Sequence, residues 1–262
     1  MRALHTAATG MAAQELNVQV ISNNIANMRT TGYKRQRAEF QDLLYEHVSR
    51  IGAQTSSQGN ILPVGIDLGG GVKTVGTPRL MTQGTLTATG GNLDIAIRGD
   101  GFFKIQMPDG TFAYTRDGSF QMDAQGRIVN AQGNVLQPAI TIPQNSTGLT
   151  INAQGQVSVT TAGTTTSTVL GQLQLTRFVN QAGLLSVGDN NFLETPASGT
   201  PQDGLPSTDG AGDLMQGNLE QANVEAVSEM TDLIAAQRAY EMNGKVISAA
   251  DQMLQSASNL MR

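Results

Sequence analysis

A chain of 262 residues with a formal net charge of −5 and no cysteine excludes several classes at once. Its acidic balance supplies no field that would draw it to nucleic acid or to an acidic membrane surface, and without cysteine there is no disulfide, thiolate metal site or thiol nucleophile. Tryptophan is absent and aromatics are only 4% of the residues, so few large side chains are on hand to anchor a thick core.

The N-terminal stretch places Leu4, Ala7, Met11, Gln14, Val18, Ile21, Ile25 and Met28 at alternating spacings of three and four. That pattern predicts an amphipathic helix with a heptad seam. The same stretch lacks a charged segment followed by a continuous apolar run, and no run of about 18 apolar residues suits a membrane span. A soluble chain is expected, with no direct membrane insertion and, if it leaves the cytoplasm, no cleavable signal.

The helix ends in "ISNNIANMRTTGYKRQRAEF", residues 21–40, which sets Asn23, Asn24 and Asn27 inside an apolar rhythm and follows them with Gly32. These asparagines are suited to bonding backbone groups and neighbouring chains, so that polarity fixes register, and Gly32 permits a chain reversal. Arg29, Lys34, Arg35 and Arg37 then form a basic burst beside one aromatic, Tyr33. In an acidic chain they are expected to cap the helix end and face an acidic partner helix, not to bind nucleic acid.

Residues 45–75, including Pro63 and Gly65, are rich in Gly, Ser and Gln and read as an extended arm. From 76 to 210 short apolar runs alternate with Asp-Gly and Gln-Gly pairs, which predicts consecutive β-hairpins and a β domain. "PASGTPQDGLPSTDGAGD" then leads out through a loop rich in Pro and Gly.

The last segment repeats the helical pattern with Leu233, Ala236, Tyr240, Asn243, Ile247, Ala250, Leu254, Ala257 and Met261. Large and small residues alternate along this seam, and Val246, Met253 and Leu260 widen it enough for two partner helices. Asn223 is expected to cap this helix, with Glu225 and Glu229 in its first turns. Gly244 in its middle suggests close approach by a neighbour. Residues 1–50 carry six Lys or Arg against four Asp or Glu, and residues 211–262 carry three against seven, so the two ends should attract weakly. Two arrangements stay open: first and last helices paired as a cap on a globular core, or helices shared among several copies. The domain reading is thus 1–44 with 211–262 as a coiled-coil-like helical domain, 45–75 as an arm and 76–210 as a central β domain. The fold class is α+β.

Chemistry-bearing motifs are sparse. His5 and His47 are the only histidines, too few for a His-rich metal site or a paired base. "GGGVKT" has Val72 where a phosphate loop needs glycine before the lysine. The Arg98-Gly99-Asp100 tripeptide reads as a turn, and Asp100, Asp109, Asp117 and Asp123 lie too far apart for one calcium loop. No enzymatic activity, cofactor or metal is expected.

At this point the motifs carry a resemblance. "ISNNIANMRTTGYKR" resembles the N-terminal signature of the bacterial flagellar rod and hook axial proteins. "GDGFFKI", "YTRDGSFQMDAQGRIVNAQGNVLQP" and the C-terminal run with Asn223, Glu229-Met230, Gln237-Arg238 and Tyr240-Glu241 are similar to the same family's later segments. The arm with "LPVGIDLGGGV" looks like that of the distal-rod members, with a proximal-rod or hook subunit as the alternative. The resemblance implies a homo-polymer exported by the flagellar type III apparatus and stacked helically in the periplasm, toward the outer membrane. It further implies contact with proximal rod proteins, the hook protein and the outer-membrane and peptidoglycan ring proteins. The assembly residues it implies are Leu4, Met11, Val18, Ile21, Ile25, Leu233, Tyr240, Ile247 and Leu254 on an inner tube. It assigns family-motif roles to Asn23, Asn24, Asn27, Gly32, Asn223, Arg238 and Tyr240, and a stiffening role to the arm with Pro63 and Gly65. A secreted or surface β-domain binding module on a helical stalk, with the Arg-Gly-Asp run and the hairpin-rich middle as its recognition surface, is the rival reading.

Overall fold

The computed structural model describes residues 2–49, 64–161, 166–208 and 210–260. Pro63, Leu62 and the centre of the expected arm lie outside the described residues, as does Met261. The class is α+β, with a long helix at each end of the chain and many short strands between. The chain forms two units, one of residues 1–25, 36–78 and 225–262 and one of 26–35 and 79–224. It therefore passes from one unit to the other at four peptide links, 25/26, 35/36, 78/79 and 224/225.

The first unit holds helix α1, Arg2–Ala26, and helix α2, Ala226–Leu260, at the two chain ends. On α1 the buried residues are Ala7, Ala13, Val20, Ile21 and Asn24. On α2 they include Ala236 and Ala250, so small side chains occupy the closest approaches. Asn24 bonds Glu229, while a side chain added at Gly10 would meet Asn243, so the helices run antiparallel in one register. Extending that register puts Arg2 opposite about residue 251, because fourteen residues separate both Gly10 from Asn24 and Glu229 from Asn243. Helix α2 is the longer by ten residues, roughly 15 Å of axis, and residues 251–259 are exposed beyond that end.

Four strands complete this unit. Strand β1, Glu39–Asp42, pairs antiparallel with β4, Val72–Gly76, and β2, Tyr45–Ser49, pairs antiparallel with β3, Ile66–Gly69. The described ends of the segment read as an extended arm are thus strand-paired. The reason lies in its β-branched and aromatic residues, Tyr45, Val48, Ile66, Val72, Thr74 and Val75, which suit a ladder even between Gly-rich stretches. Arg2 of α1 pairs with Glu46 of β2 at 2.6 Å, and the Val72 N–H donates to Thr9 Oγ1 at 3.4 Å.

The second unit carries the remaining strands. In chain order they are β5 Leu86–Ala88, β6 Ile95–Arg98, β7 Phe103–Gln106, β8 Phe112–Thr115, β9 Gln121–Met122, β10 Ile128–Val129, β11 Val135–Gln137 and β12 Ser146–Ile151. They continue as β13 Gln156–Thr161, β14 Ser167–Gln172, β15 Leu175–Arg177, β16 Leu185–Gly188, β17 Asn191–Leu193, β18 Gln202–Gly204, β19 Asp213–Gln216 and β20 Asn218–Glu220. Among the described residues, a seven-stranded antiparallel sheet has the order β16-β17-β8-β7-β11-β10-β9, beside a three-stranded sheet β12-β13-β14. The pairs β15-β18, β19-β6 and β20-β5 close the rest.

One tetrapeptide pattern makes three of the turns. Asp123-Ala-Gln-Gly126, Asn130-Ala-Gln-Gly133 and Asn152-Ala-Gln-Gly155 each end in a glycine with φ near +80°. In each, the glycine N–H donates to the carbonyl of the first residue, 2.9 to 3.0 Å away. The Asp or Asn side chain accepts the N–H four residues on, at 2.7 or 2.8 Å. A left-handed glycine and an Asx acceptor close a five-residue loop with its backbone groups satisfied, and that fixes strand register.

The core of this unit is thicker than the composition suggests. Ile95, Ile97, Phe103, Ile105, Leu136, Val157 and Leu175 form part of one buried cluster, and Phe102, Tyr114, Phe178, Leu184 and Phe192 form a second. Few aromatics suffice because they are gathered: Tyr114 and Phe178 meet edge-to-face at 4.8 Å, and Phe103 and Phe120 at 5.1 Å. The unit also reaches beyond the expected 76–210, taking in residues 26–35 and running to 224.

Candidate functional site

Asn24 sits at the end of α1 with no exposed surface. Its Oδ1 accepts the Gln36 N–H at 3.0 Å, and its Nδ2 donates to the Gln36 carbonyl at 2.9 Å and to Glu229 Oε2 at 3.1 Å. Glu229 is itself fully buried, in the first turn of α2, where the helix N-terminus favours an anion. One amide therefore fastens the end of α1, the returning chain and the start of α2. Asn27 accepts the Thr30 hydroxyl at 3.2 Å to shape the following turn, while Asn23 is on the exposed side of the helix.

The remaining expected seam residues distribute unevenly. Ile21 is buried, and Leu4, Met11, Val18, Ile25, Leu233 and Ile247 are half-buried. Tyr240 and Leu254 stay exposed at 45% and 44%, although they lie in the same seam. Elsewhere on α2, Val227, Met230 and Ile234 on one flank of that seam and Val246 and Met253 on the other are exposed as well. Gly244 has no described atom near its missing side chain, so the expected close neighbour is not found among the described residues. The close approach lies instead at Gly10, where an added Cβ would fall 2.9 Å from Asn243 Nδ2. An isolated helix that exposes this much apolar surface along two faces is incompletely covered.

The basic burst behaves differently from its expected capping role. Lys34 is buried in the β-rich unit, its Nζ 2.6 Å from Glu220 Oε1 and donating to the Thr82 carbonyl at 2.9 Å. Arg116 reaches Glu220 Oε2 at 3.4 Å and lies over the Phe102 ring at 5.3 Å. The partner is a strand glutamate, not an acidic helix, because Gly32 turns the chain into the sheet. Gly32 has φ +68°, and a side chain there would meet the Asp117 N at 2.7 Å. Burial pulls the Lys34 amine below its usual value, Glu220 opposes that shift and Arg116 adds to it. Burial likewise lowers Arg116, against the pull of Glu220 and Asp100. Arg37, by contrast, makes an exposed pair with Glu39 at 2.7 Å.

Asn223 is also reassigned. Helix α2 starts at Ala226, and the Asn223 side chain accepts the Arg35 N–H at 2.7 Å and donates to the carbonyls of Leu80 and Thr82 at 2.8 and 3.0 Å. It ties extended segments together and caps nothing. The sequence showed Asn223 and Lys34 as motif positions, but only the folded chain reveals that Glu220 and Arg116 complete their environment.

Among the described residues no group of three His, Cys, Asp or Glu side chains could hold a metal. His47 faces Asp67 across the β2-β3 ladder at 2.6 Å, and His5 is exposed on α1. Asp109, Asp117 and Asp123 each accept an N–H two residues on. Arg98 of the Arg-Gly-Asp run is held by Asp213. Gly65 is half-buried just before β3. No described helix is long and apolar enough to cross a membrane.

Comparison with known proteins gives matches along the whole chain. Residues 4–34 match the family described as flagella basal body rod protein, residues 96–159 the flagellar hook protein FlgE/F/G D1 domain, and residues 215–260 the flagellar basal body rod FlgEFG protein C-terminal family. The flagellar basal-body rod protein FlgG of Caulobacter vibrioides is 56% identical over 260 residues, 99% of each chain. The protein of that name from Borreliella burgdorferi is 46% identical over 264 residues, 100% of this chain and 99% of its own. The flagellar basal-body rod protein FlgF of Escherichia coli is 32% identical over 268 residues, 99% of this chain and 98% of its own.

Proposed function

The chain belongs to the family of flagellar basal-body rod proteins, and from that premise we propose how it works: as the structural subunit of the distal rod, polymerising helically into a stiff shaft that carries motor torque to the hook. It is a component of the flagellar basal body and its role is structural. The proximal-rod and hook alternatives are less well supported, since identity to FlgG relatives reaches 56% against 32% for the FlgF relative. The stalked binding module is not favoured either, because its Arg-Gly-Asp arginine is engaged by Asp213.

One observation carries the assembly reading. Helix α2 leaves Val227, Met230, Ile234, Val246 and Met253 exposed along its length, together with Tyr240 and Leu254 of the seam, and residues 251–259 extend past the register of α1. Burying an apolar side chain of this size is worth about 1.5–3 kcal/mol, and each copy added to a polymer supplies a cover for the last. The terminal helices line the inner tube and the β-rich unit forms the outer wall; Leu4, Met11, Val18, Ile21, Ile25, Leu233, Tyr240, Ile247 and Leu254 work there as inter-subunit as well as intra-chain contacts. The shaft runs through the periplasm toward the outer membrane. Proximal rod proteins, the hook protein and the surrounding peptidoglycan and outer-membrane rings are its neighbours, and the flagellar type III apparatus exports it. No catalytic step, cofactor or nucleic acid is involved.

The test replaces exposed apolar residues of α2 with charge. Ile234→Glu and Met253→Glu should leave the helical circular dichroism of the purified chain unchanged and abolish rods in cells lacking the native copy. Rods of normal number and length from both variants would remove the reading.

A further inference from the structure

Three of the four links between the units emerge from one small region of the β-rich unit. Residues 32–35 lead to the link at 35/36, residues 79–84 follow the link at 78/79, and residues 218–224 precede the link at 224/225. Each of these segments is bonded to the other two. Arg35 accepts the Leu80 N–H through its carbonyl at 2.8 Å. Lys34 donates to the Thr82 carbonyl at 2.9 Å and pairs with Glu220 at 2.6 Å. Glu220 accepts the Gly84 N–H on the same Oε1 at 2.9 Å, and its carbonyl accepts the Gly32 N–H at 2.8 Å. Asn223 completes the triangle by accepting from Arg35 and donating to Leu80 and Thr82.

The chemistry of this knot is poorly explained by stability alone. A buried Lys–Glu pair with a second cation beside it gains little net free energy over an apolar cluster of the same volume. What it does provide is directionality: charge-assisted bonds fix the three segments side by side. A load arriving along any of the three links meets bonds that run across the chain, so neighbouring bonds share it and no single one is peeled first.

On the reading of the chain as a rod subunit, we propose that Lys34, Glu220 and Asn223 form a mechanical clamp that gathers the connecting segments of the β-rich unit, so that torque entering through the links strains the three together and does not unravel the unit one segment at a time. Arg116 and Gly32 are positioning residues of the clamp, the first by holding Glu220 Oε2 and the second by turning the chain into it.

The test uses the full-length chain with Asn223→Ala, which removes the cross-links of one side chain without stranding a charge, and with Glu220→Gln as the second variant. Hydrogen exchange of the purified chains should speed up at the amides of Gly32, Arg35, Leu80 and Gly84 by roughly tenfold or more, the factor expected from losing one or two net hydrogen bonds, with Ile105 in the seven-stranded sheet unchanged. In cells lacking the native copy, Asn223→Ala should give rods of normal number by electron microscopy and near-normal swimming in dilute medium, and should lose swimming as methylcellulose raises the load. Unchanged exchange at those amides overturns the clamp outright, as does faster exchange with wild-type swimming at every viscosity. Should Glu220→Gln fail to fold, Asn223→Ala still decides the matter. Failure of the native chain to form rods would overturn the rod reading, while the exchange result would still report on the knot itself.

Discussion

Replacing Asn24 by leucine tests whether polarity at the end of α1 fixes the helix pair. The substitution removes bonds to the Gln36 N–H, the Gln36 carbonyl and the Glu229 carboxylate, at 3.0, 2.9 and 3.1 Å. Gln36 is half-buried, so water recovers part of its loss, and each of its groups costs about 1 kcal/mol, the low end for a stranded polar atom. Glu229 is fully buried, and losing a bond to an ionised group there costs about 1.5–3 kcal/mol. Extra buried methyl groups recover some of this, and a net loss of roughly 3 kcal/mol remains. Chemical denaturation followed by helical circular dichroism measures it, with Ser22→Ala on the exposed neighbouring position expected within about 0.5 kcal/mol of the native chain. In cells the leucine variant should give misassembled rods. A loss below about 1 kcal/mol, or normal rods, would show that the amide does not hold the helix pair and would sink the argument.

Other positions give sharper contrasts. Gly32→Ala should destabilise the β-rich unit by about 2–5 kcal/mol, the sum of left-handed strain and overpacking against the Asp117 backbone, read as a fall in the midpoint of urea unfolding. Gly244→Ala should act in opposite directions in the two states. It should stabilise the free chain by about 1 kcal/mol, since no described atom lies near the added methyl, and should impair rod formation where a second copy is proposed to approach; equal rod yields would exclude that approach. A hydrogen bond from Arg98 holds the Asp213 carboxyl below its usual range. A depressed carboxylate contributes stability that is complete above the unfolded value of about 3.9 and fades as pH falls through the folded one. Asp213→Asn should therefore lower the melting temperature near neutral pH, with the gap to the native chain closing in acid. A gap that persists or grows in acid would contradict the assignment.

Periodicity made the two helices legible because an apolar stripe at a spacing of three and four is enforced by burial along the whole element. The hairpins were legible for a similar reason, since turns such as Asp123-Ala-Gln-Gly126 carry their chemistry within five residues. What stayed hidden depends on partners distant in sequence. Lys34 looked like part of a helix-end cap because its carboxylate lies 186 residues away. Asn223 looked like a helix cap because three residues separate it from α2, and nothing local reveals the backbone groups of Arg35 and Leu80 that it bonds. Gly244 marked close approach in the sequence, yet within one chain that approach falls at Gly10. The strands at 45–49 and 66–69 were masked by Gly-rich surroundings, although Tyr45, Val48 and Ile66 carry the β-forming character.

The four crossings between the units also set an order of folding for a chain made from its N-terminus. The β-rich unit needs residues 26–35 from the beginning and Glu220 and Asn223 from near the end, and the helical unit needs Asn24 from the beginning and Glu229 and Asn243 from near the end. Neither unit has a purely local version that could close early, so most of the chain must be present before either is complete. Contacts of such long range are slow to form because the loop between them must first be ordered. The same topology that sews the finished subunit together therefore holds it open during synthesis, which suits the proposed export of the chain.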